Sequence, residues 1–512
     1  MQGKKDYQEK LFIRFQLSDY VPQDNFYRQL KSILDFNFLY ASTSKYYGNE
    51  GQKSINPVVF MKLILVGYLE NLNSDRRIIS TSRMRMDILY FIGYDLDEEL
   101  PWHSTLSRTR QLYGEEQFMS LFKLVLKQCI DKRLVSGKRQ AIGSVFVKAN
   151  AAMSSMVERE IFEDAITYRK ELESNEDEQD SSATKTALTQ DTPSKKIQSD
   201  KPDKRTNKTH VSPSDPDSRM SYKPGKITKL NYLGQVSVGT AHHVITHIQA
   251  FHADKRDSQC LSEVLTNTID NLKENALELK EVIADTGYSS GSALQALTDN
   301  GIEGYIPNIA AYRPDRDGFT YDQANDRYIC SQGIHLTLRT IKSKHSSFHK
   351  IYKSRTKDCR SCPFLTTCAN PAGIKALEDS ISKPLYDQMH QRMQTNKGTR
   401  MRLLRSSTVE PVLGTLVNFT AMKQVTTKGI TLANKCMIMA AVAYNLKKLI
   451  KGISTRVRKR VPKATNSDGN YLNKGLLAYN IALVVIKRYL RTSTKSKWLN
   501  NHLLCKLNYS AI

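Results

Sequence analysis

Long apolar runs are missing from this sequence. The longest, Met437 to Leu446 and Leu476 to Ile486, fall well short of the roughly 18 to 20 residues a membrane span requires, so both read as buried helices and no membrane partner is expected. No apolar stretch follows the charged opening Met1-Gln2-Gly3-Lys4-Lys5-Asp6, which leaves no secretory leader and sets the expectation of an intracellular, cytoplasmic protein. Cysteine is scarce: eight in 512 residues make no disulfide framework, and in a reducing compartment a clustered set reads as metal ligands or plain thiols. Aromatic residues vanish from Glu171 to Arg219, where only four Leu, Ile, Val or Met stand among Ser, Asp, Glu, Lys, Thr and Pro. Such a stretch cannot offset its own ordering entropy, and it reads as a disordered insertion. Acids are almost absent near the other end. From Lys397 to Ile512, 22 Lys or Arg face two acids, Glu410 and Asp468, so a surplus of 20 out of the chain's +25 sits in 116 residues. That much unbalanced charge points to a polyanionic partner such as nucleic acid.

What is present suffices to fold. A composition 40% apolar and 25% charged leaves room for about two to four domains. From Asn56 to Arg133 apolar residues recur at helical spacing, as in Val59-Phe60, Leu63-Ile64 and Gly67-Tyr68-Leu69. Within this segment Pro101-Trp102-His103-Ser104 reads as a turn with a Ser N-cap, opening a helix that carries Arg108 and Arg110. After Gly137 the run Gln140 to Val147 has strand character. Tyr232 to Val238 and His243 to Ile248 alternate about Gly239-Thr240-Ala241, a hairpin signature, and a helix is expected over Gln259 to Leu279. Glu281 to Ser290 reads as a buried strand ending in Asp285, then a Gly turn and a helix start. Asp285 at a strand's carboxyl end suits a functional acid, and equally a turn or cap. Thr408 to Phe419 reads as an amphipathic helix with Pro411 in its first turn, which sets Glu410 at the helix start, where a carboxylate also suits the macrodipole. Beyond Tyr444 the helix is expected to give way to a basic tail from Arg456-Val457-Arg458-Lys459-Arg460. The fold class expected is α+β and multidomain: a helical domain over 1–135, a mixed domain over 136–450 interrupted by a disordered insertion at 160–219 and a Cys-bearing one at 308–395, and a basic segment over 451–512.

Several of these blocks resemble the bacterial DDE insertion-sequence transposases. Phe60-Met61-Lys62-Leu63 to Tyr68-Leu69-Glu70, Ser74-Asp75-Arg76-Arg77 and His103 to Arg108 are similar to the family's N-terminal domain. Lys148-Ala149-Asn150-Ala151, Ala284-Asp285-Thr286-Gly287-Tyr288 and Thr408-Val409-Glu410-Pro411-Val412-Leu413-Gly414 follow in its order, over roughly residues 20 to 450 apart from the insertion. The resemblance implies a ribonuclease H-like α/β core in which three carboxylates hold two Mg²⁺ ions. One ion activates the attacking water or 3′-hydroxyl and the other stabilises the leaving oxygen. Asp285 and Glu410 match the family's second and third carboxylates, as catalytic residues and as metal ligands. The first should precede Lys148-Ala149-Asn150, yet position 143 is Gly143 and nothing from Gly137 to Met156 carries a carboxylate. Gly239 is a second departure where relatives tend to have Asp, and Val417 a third where a related signature has Lys. The implied function is an insertion-sequence transposase that binds terminal inverted repeats and catalyses metal-dependent strand cleavage and transfer, with the activity of this copy in doubt because of Gly143. The alternative is a catalytically dead DNA-binding protein that regulates or titrates transposition. Recruitment of Asp215 or Asp217 as a replacement acid is a further reading, although Ser212 to Arg219 has the character of a turn.

The partner implied is double-stranded DNA, at element ends and target, bound by a homodimer. Candidate DNA contacts are Arg76, Arg77, Arg108, Arg110, Arg405, Lys423, Lys428, Arg456, Arg458, Lys459 and Arg460. Cys359-Arg360-Ser361-Cys362, with Cys368 following and Cys330 upstream, offers four thiols around a CxxC core, the spacing of a structural Zn²⁺ knuckle; packed thiols are the other reading. Cys129, Cys260, Cys436 and Cys505 are isolated and read as core residues.

Overall fold

Asn56 opens the first long helix. Its side-chain oxygen accepts the backbone N–H groups of Val58 and Val59, and Pro57 occupies the first turn, where its missing N–H costs nothing, so α1 runs Pro57–Leu69. Most of α1 is buried, and α2 (Asp75–Arg83), α3 (His103–Leu112) and α4 (Glu115–Asp131) build the helical N-terminal part together with shorter helices that include Phe26–Ile33 and Met86–Ile92. The expected Ser cap is not used: α3 begins at His103, with Trp102 at the cap position and no side-chain bond to it. The computed structural model describes residues 15–48, 50, 54–176, 205–222, 227–309, 312–344 and 347–460.

The chain then enters a six-stranded sheet. Its strands are β1 (Arg139–Lys148), β2 (Arg219–Ser221), β3 (Lys229–Gly239), β4 (Ile245–His252), β5 (Glu281–Ile283) and β6 (Glu303–Tyr305). The order is β2-β3-β1-β5-β6, with β4 also paired to β3. β1 is antiparallel to β3 and parallel to β5, and β5 is parallel to β6. The expected hairpin is β3 and β4, but its burial does not alternate: every residue of β3 after Lys229 is buried. Both faces are covered. Gln235 points to α5 (Asp257–Lys273), where its amide donates to Asp257 at 2.7 Å, while a Cβ on Gly234 would meet Met437 and Met422 on the opposite side. α5 also stops at Lys273, short of the expected Leu279.

Three further expectations are corrected. Glu410 is not at a helix start, because α6 runs Asn396–Phe419 and holds Pro411 in its interior. An interior proline costs about 3 kcal/mol in a free helix; here Thr408, Val409, Val412, Leu413 and Leu416 are buried against the sheet and hold the helix through it. The segment 160–219 is not uniformly disordered. A helix covers Arg159–Glu176, and residues 205–222 form two short strands and a strap, while 177–204 lie outside the described residues. The strap is fixed by acids: Asp215 accepts from the Tyr232 hydroxyl (2.6 Å) and the Gly429 N–H (3.0 Å), and Asp217 accepts from the Ile430 N–H (3.0 Å). These carboxylates secure the start of α7 (Ile430–Arg460), which leaves neither in the role of a recruited catalytic acid. The C-terminal basic segment expected from 451 begins inside that helix, and 461–512 lie outside the described residues.

α7 joins the helical part to the sheet. Asn445 pairs with both the N–H and the C=O of Ile245, and Asn434 binds the Ala250 N–H and Glu115. The ammonium of buried Lys435 donates to the carbonyls of Arg110 and Tyr113, and Lys447 donates to that of Leu69. One continuous hydrophobic core therefore runs from the N-terminal helices through the sheet to α7. A smaller antiparallel sheet stands between β6 and α6: β7 (Phe319–Asp322), β8 (Arg327–Cys330), β9 (His335–Lys344), β10 (Ser347–Lys353) and β11 (Ala376–Ser380), in the order β11-β10-β9-β8-β7. Its own core is Tyr328, Leu336 and Tyr352. Among the described residues no helix is long and apolar enough to cross a membrane.

Candidate active site and DNA-facing residues

β1 and β5 run parallel with Arg139 beside Glu281 and Ala141 beside Ile283. The paired register ends there, with Gly143 and Asp285 each two residues further along the chain. α6 lies over this point: a Cβ built on Gly143 would overlap Val409 Cγ1, with Leu413 next to it. Glu410 follows Val409 on the same helix. α6 thus covers the position expected to carry the first acid, a glycine closed over by a valine, and bears the glutamate expected as the third.

Asp285 also serves as a cap. Its Oδ1 accepts the Gly287 N–H at 2.9 Å and starts the single turn Thr286–Tyr288. Its other oxygen, Oδ2, is 3.7 Å from Nη2 of Arg405, and the same nitrogen donates to Oε1 of Glu410 at 2.8 Å. Arg405 is only 15% exposed while Asp285 and Glu410 are 43% and 58% exposed, so the guanidinium lies beneath the two carboxylates. Arg405, expected to contact DNA, is instead spent on the acids.

A carboxylate that sequence reading missed lies near Asp285. A Cβ on Gly287 would lie 3.0 Å from Asp285 Oδ1 and 3.1 Å from Asp257 Oδ2, so Asp257, at the start of α5, flanks the same turn. Gln235 bonds Asp257, and the Tyr288 hydroxyl donates to Gln235. Burial, reinforced by the charges of Asp257 and Asp285, holds the Tyr288 phenol protonated far above its ordinary range. No motif spacing announces Asp257; only the fold places it here.

Among the described residues no three His, Cys, Asp or Glu side chains are grouped to hold a metal. A two-metal phosphoryl-transfer centre needs oxygen ligands clustered densely enough to offset two dications. Here position 143 supplies no oxygen, and the Arg405 guanidinium is paired with Glu410 and within ion-pair reach of Asp285, so the residues present do not fit an Mg²⁺ pair. The zinc expectation also finds no site. Cys330 ends β8 and its sulfur accepts the Ile334 N–H, Cys359 is buried, and Cys362 and Cys368 are partly exposed, with no three of the four converging as tetrahedral thiolate ligation requires. Cys129, Cys260 and Cys436 are buried as expected, and burial pushes the first two thiols up to about 12. Cys505 lies outside the described residues.

The proposed DNA contacts divide. Arg76, Arg77 and Arg108 are exposed on α2 and α3, with Arg76 Nε donating to His103 Nε2 at 3.2 Å. Arg110 is buried and forked onto Asp75 through contacts of 2.6 and 3.1 Å, so it cannot reach a phosphate. Lys423 and Lys428 are exposed in the loop between α6 and α7, and Lys428 borders a polar cleft of about 530 Å³ shared with Ser107, Asn150 and Thr427. Arg456, Arg458, Lys459 and Arg460 belong to α7, but their side chains lie outside the described residues.

Comparison with known proteins sets the chain among transposases. Residues 15–112 match a transposase domain (DUF772) and residues 329–450 match a transposase DDE domain, so the chain carries the domain pair of a DDE-type transposase. The second match includes Glu410 and stops short of Gly143 and Asp285. No curated protein matches the chain. Among solved structures, one similar chain comes from a piggyBac transposase synaptic complex with hairpin DNA, at 11% identity over 88% of this chain and 83% of that one. Its TM-score is 0.29, too low for any argument from the likeness.

Proposed function

We propose that this chain is a DNA-binding member of the DDE transposases whose strand-cleavage centre is disabled. The observation that carries the proposal is the state of the acid site: Gly143 lies closed under Val409, and Arg405 pairs with Glu410 and stands within ion-pair reach of Asp285. The sheet supports descent from an active enzyme. Three antiparallel strands followed by two parallel ones, in the order β4-β3-β1-β5-β6, with an acid two residues beyond β5 and a glutamate on a helix across β1, is the arrangement a ribonuclease H-like domain calls for. DDE chemistry uses divalent metal, and the reading here is that this copy has lost the ligand set for it. Exposed Arg76, Arg77, Arg108, Lys423 and Lys428 remain available for DNA, so element-end binding outlives cleavage and the protein acts as a regulator or competitor of active copies. The test is one preparation assayed twice, for affinity to a duplex carrying the element's own end and for Mg²⁺-dependent nicking of it. Salt-sensitive binding without nicking is expected. Nicking above background returns the reading to an active transposase, and absence of binding removes DNA from the account altogether.

A further inference from the structure

β9 is ten residues long, but β8 pairs with it only as far as Thr337. On its other side β10 follows β9 from Thr337 to Lys344, while β11 accompanies β10 no further than His349. Toward residues 345 and 346, which lie outside the described residues, the sheet therefore narrows to a two-stranded ribbon. Its base is firmly held: Lys350 and the Tyr352 hydroxyl both bind Asp326, at 2.8 and 2.6 Å, and Tyr321 binds the same carboxylate. Its outer part is bare on both faces. All residues from Leu338 to Lys344 are exposed, as are Ser347 and Phe348.

The ribbon is basic and carries apolar side chains that no element covers. Arg339 and Lys342 have no carboxylate within ion-pair reach among the described residues, and Lys344 meets only the exposed Glu378, at 3.3 Å. Ile341 and Phe348 are 49% and 57% exposed. The major groove of B-form DNA is wide enough for a two-stranded ribbon, phosphates on its rims take Lys and Arg, and base edges offer apolar contact. The geometry points to the exposed strand segments 339–344 and 347–348 as a duplex-DNA contact element that inserts into a groove, separate from the arginines of α2 and α3. This inference rests on the DNA-binding reading above and adds a surface to it.

The test is fluorescence anisotropy with a labelled mixed-sequence duplex across a salt series, comparing the full chain with Arg339→Ala/Lys342→Ala/Lys344→Ala. The substituted residues are exposed, so an unchanged melting temperature is the control for folding. Affinity at physiological salt should fall about tenfold or more, and the dependence of log affinity on log salt should flatten by about one unit for each phosphate that is no longer neutralised. A Phe348→Ala variant, which keeps every charge, should weaken binding without changing the salt slope. Wild-type binding with the triple variant indistinguishable from it overturns the ribbon inference alone. Loss of self-association in the triple variant, with DNA affinity intact, also overturns it by assigning the ribbon to a second copy. A wild type that ignores the duplex overturns the DNA-binding reading itself.

Discussion

Arg405 and Glu410, five positions apart on α6, share an ion pair of 2.8 Å, and the same guanidinium nitrogen stands 3.7 Å from Asp285. A monovalent side chain thus occupies the electrostatic role that a divalent ion takes in an intact centre. Removing it should leave two uncompensated acids. Arg405→Ala is expected to bind Mn²⁺ on the order of tenfold more tightly than the wild type, read by electron paramagnetic resonance titration. Because both acids are half-exposed, the stability cost should stay below about 1 kcal/mol. Equal Mn²⁺ affinity in the two proteins would show that Arg405 is not what offsets the acids.

The two arginines of α3 should behave oppositely. Arg110 is buried and forked onto Asp75, so Arg110→Ala strands a carboxylate and should cost about 3 to 5 kcal/mol in denaturant unfolding. Arg108 is exposed, and Arg108→Ala should leave stability within about 0.5 kcal/mol while weakening end-DNA binding. Similar stability losses in both variants would refute the division of roles.

His247 gives the fold an acid-side liability. It is buried between β4 and α5, and burial lowers its pKa from 6.5 to about 4. With the ring neutral, Nε2 donates to Gln249 Oε1 at 3.2 Å and Nδ1 accepts from Asn271 at 3.5 Å. The unfolded chain binds this proton near pH 6.5 and the folded chain only near 4, so the contribution is fully present above 6.5 and is lost as pH falls toward 4. Unfolding free energies of wild type and His247→Gln should therefore draw together between those pH values by up to about 3 kcal/mol. A constant gap across that range would mean His247 does not titrate as its burial dictates.

Features carried by local pattern were legible in the sequence. The strand at 140–147, the hairpin about Gly239 and a strand shortly before Asp285 follow from periodicity and turn residues, although that strand stops at Ile283 and Asp285 caps the next turn; the missing acid is visible as Gly143. Features set by distant partners were not. Pro411 suggested a helix start because the packing that carries α6 through a proline belongs to the sheet. The strap at 205–222 looked too poor in apolar residues to order itself, and its anchors are two aspartates bonded to backbone at 429 and 430. Arg110 and Arg405 read as DNA contacts because the acids that engage them, Asp75, Asp285 and Glu410, lie elsewhere in the chain or on another turn.

On the function proposed above, position 143 is the vacant place of an acid, closed over by Val409. The most direct measurement is Mg²⁺-dependent nicking of an end-bearing duplex by the wild type, by Gly143→Asp and by Gly143→Asp/Val409→Ala, each first shown to bind that duplex. The wild type should be inert, the single variant weak because Val409 must move aside, and the double variant clearly active. Nicking by the unmodified chain at the level of the double variant would contradict the claim.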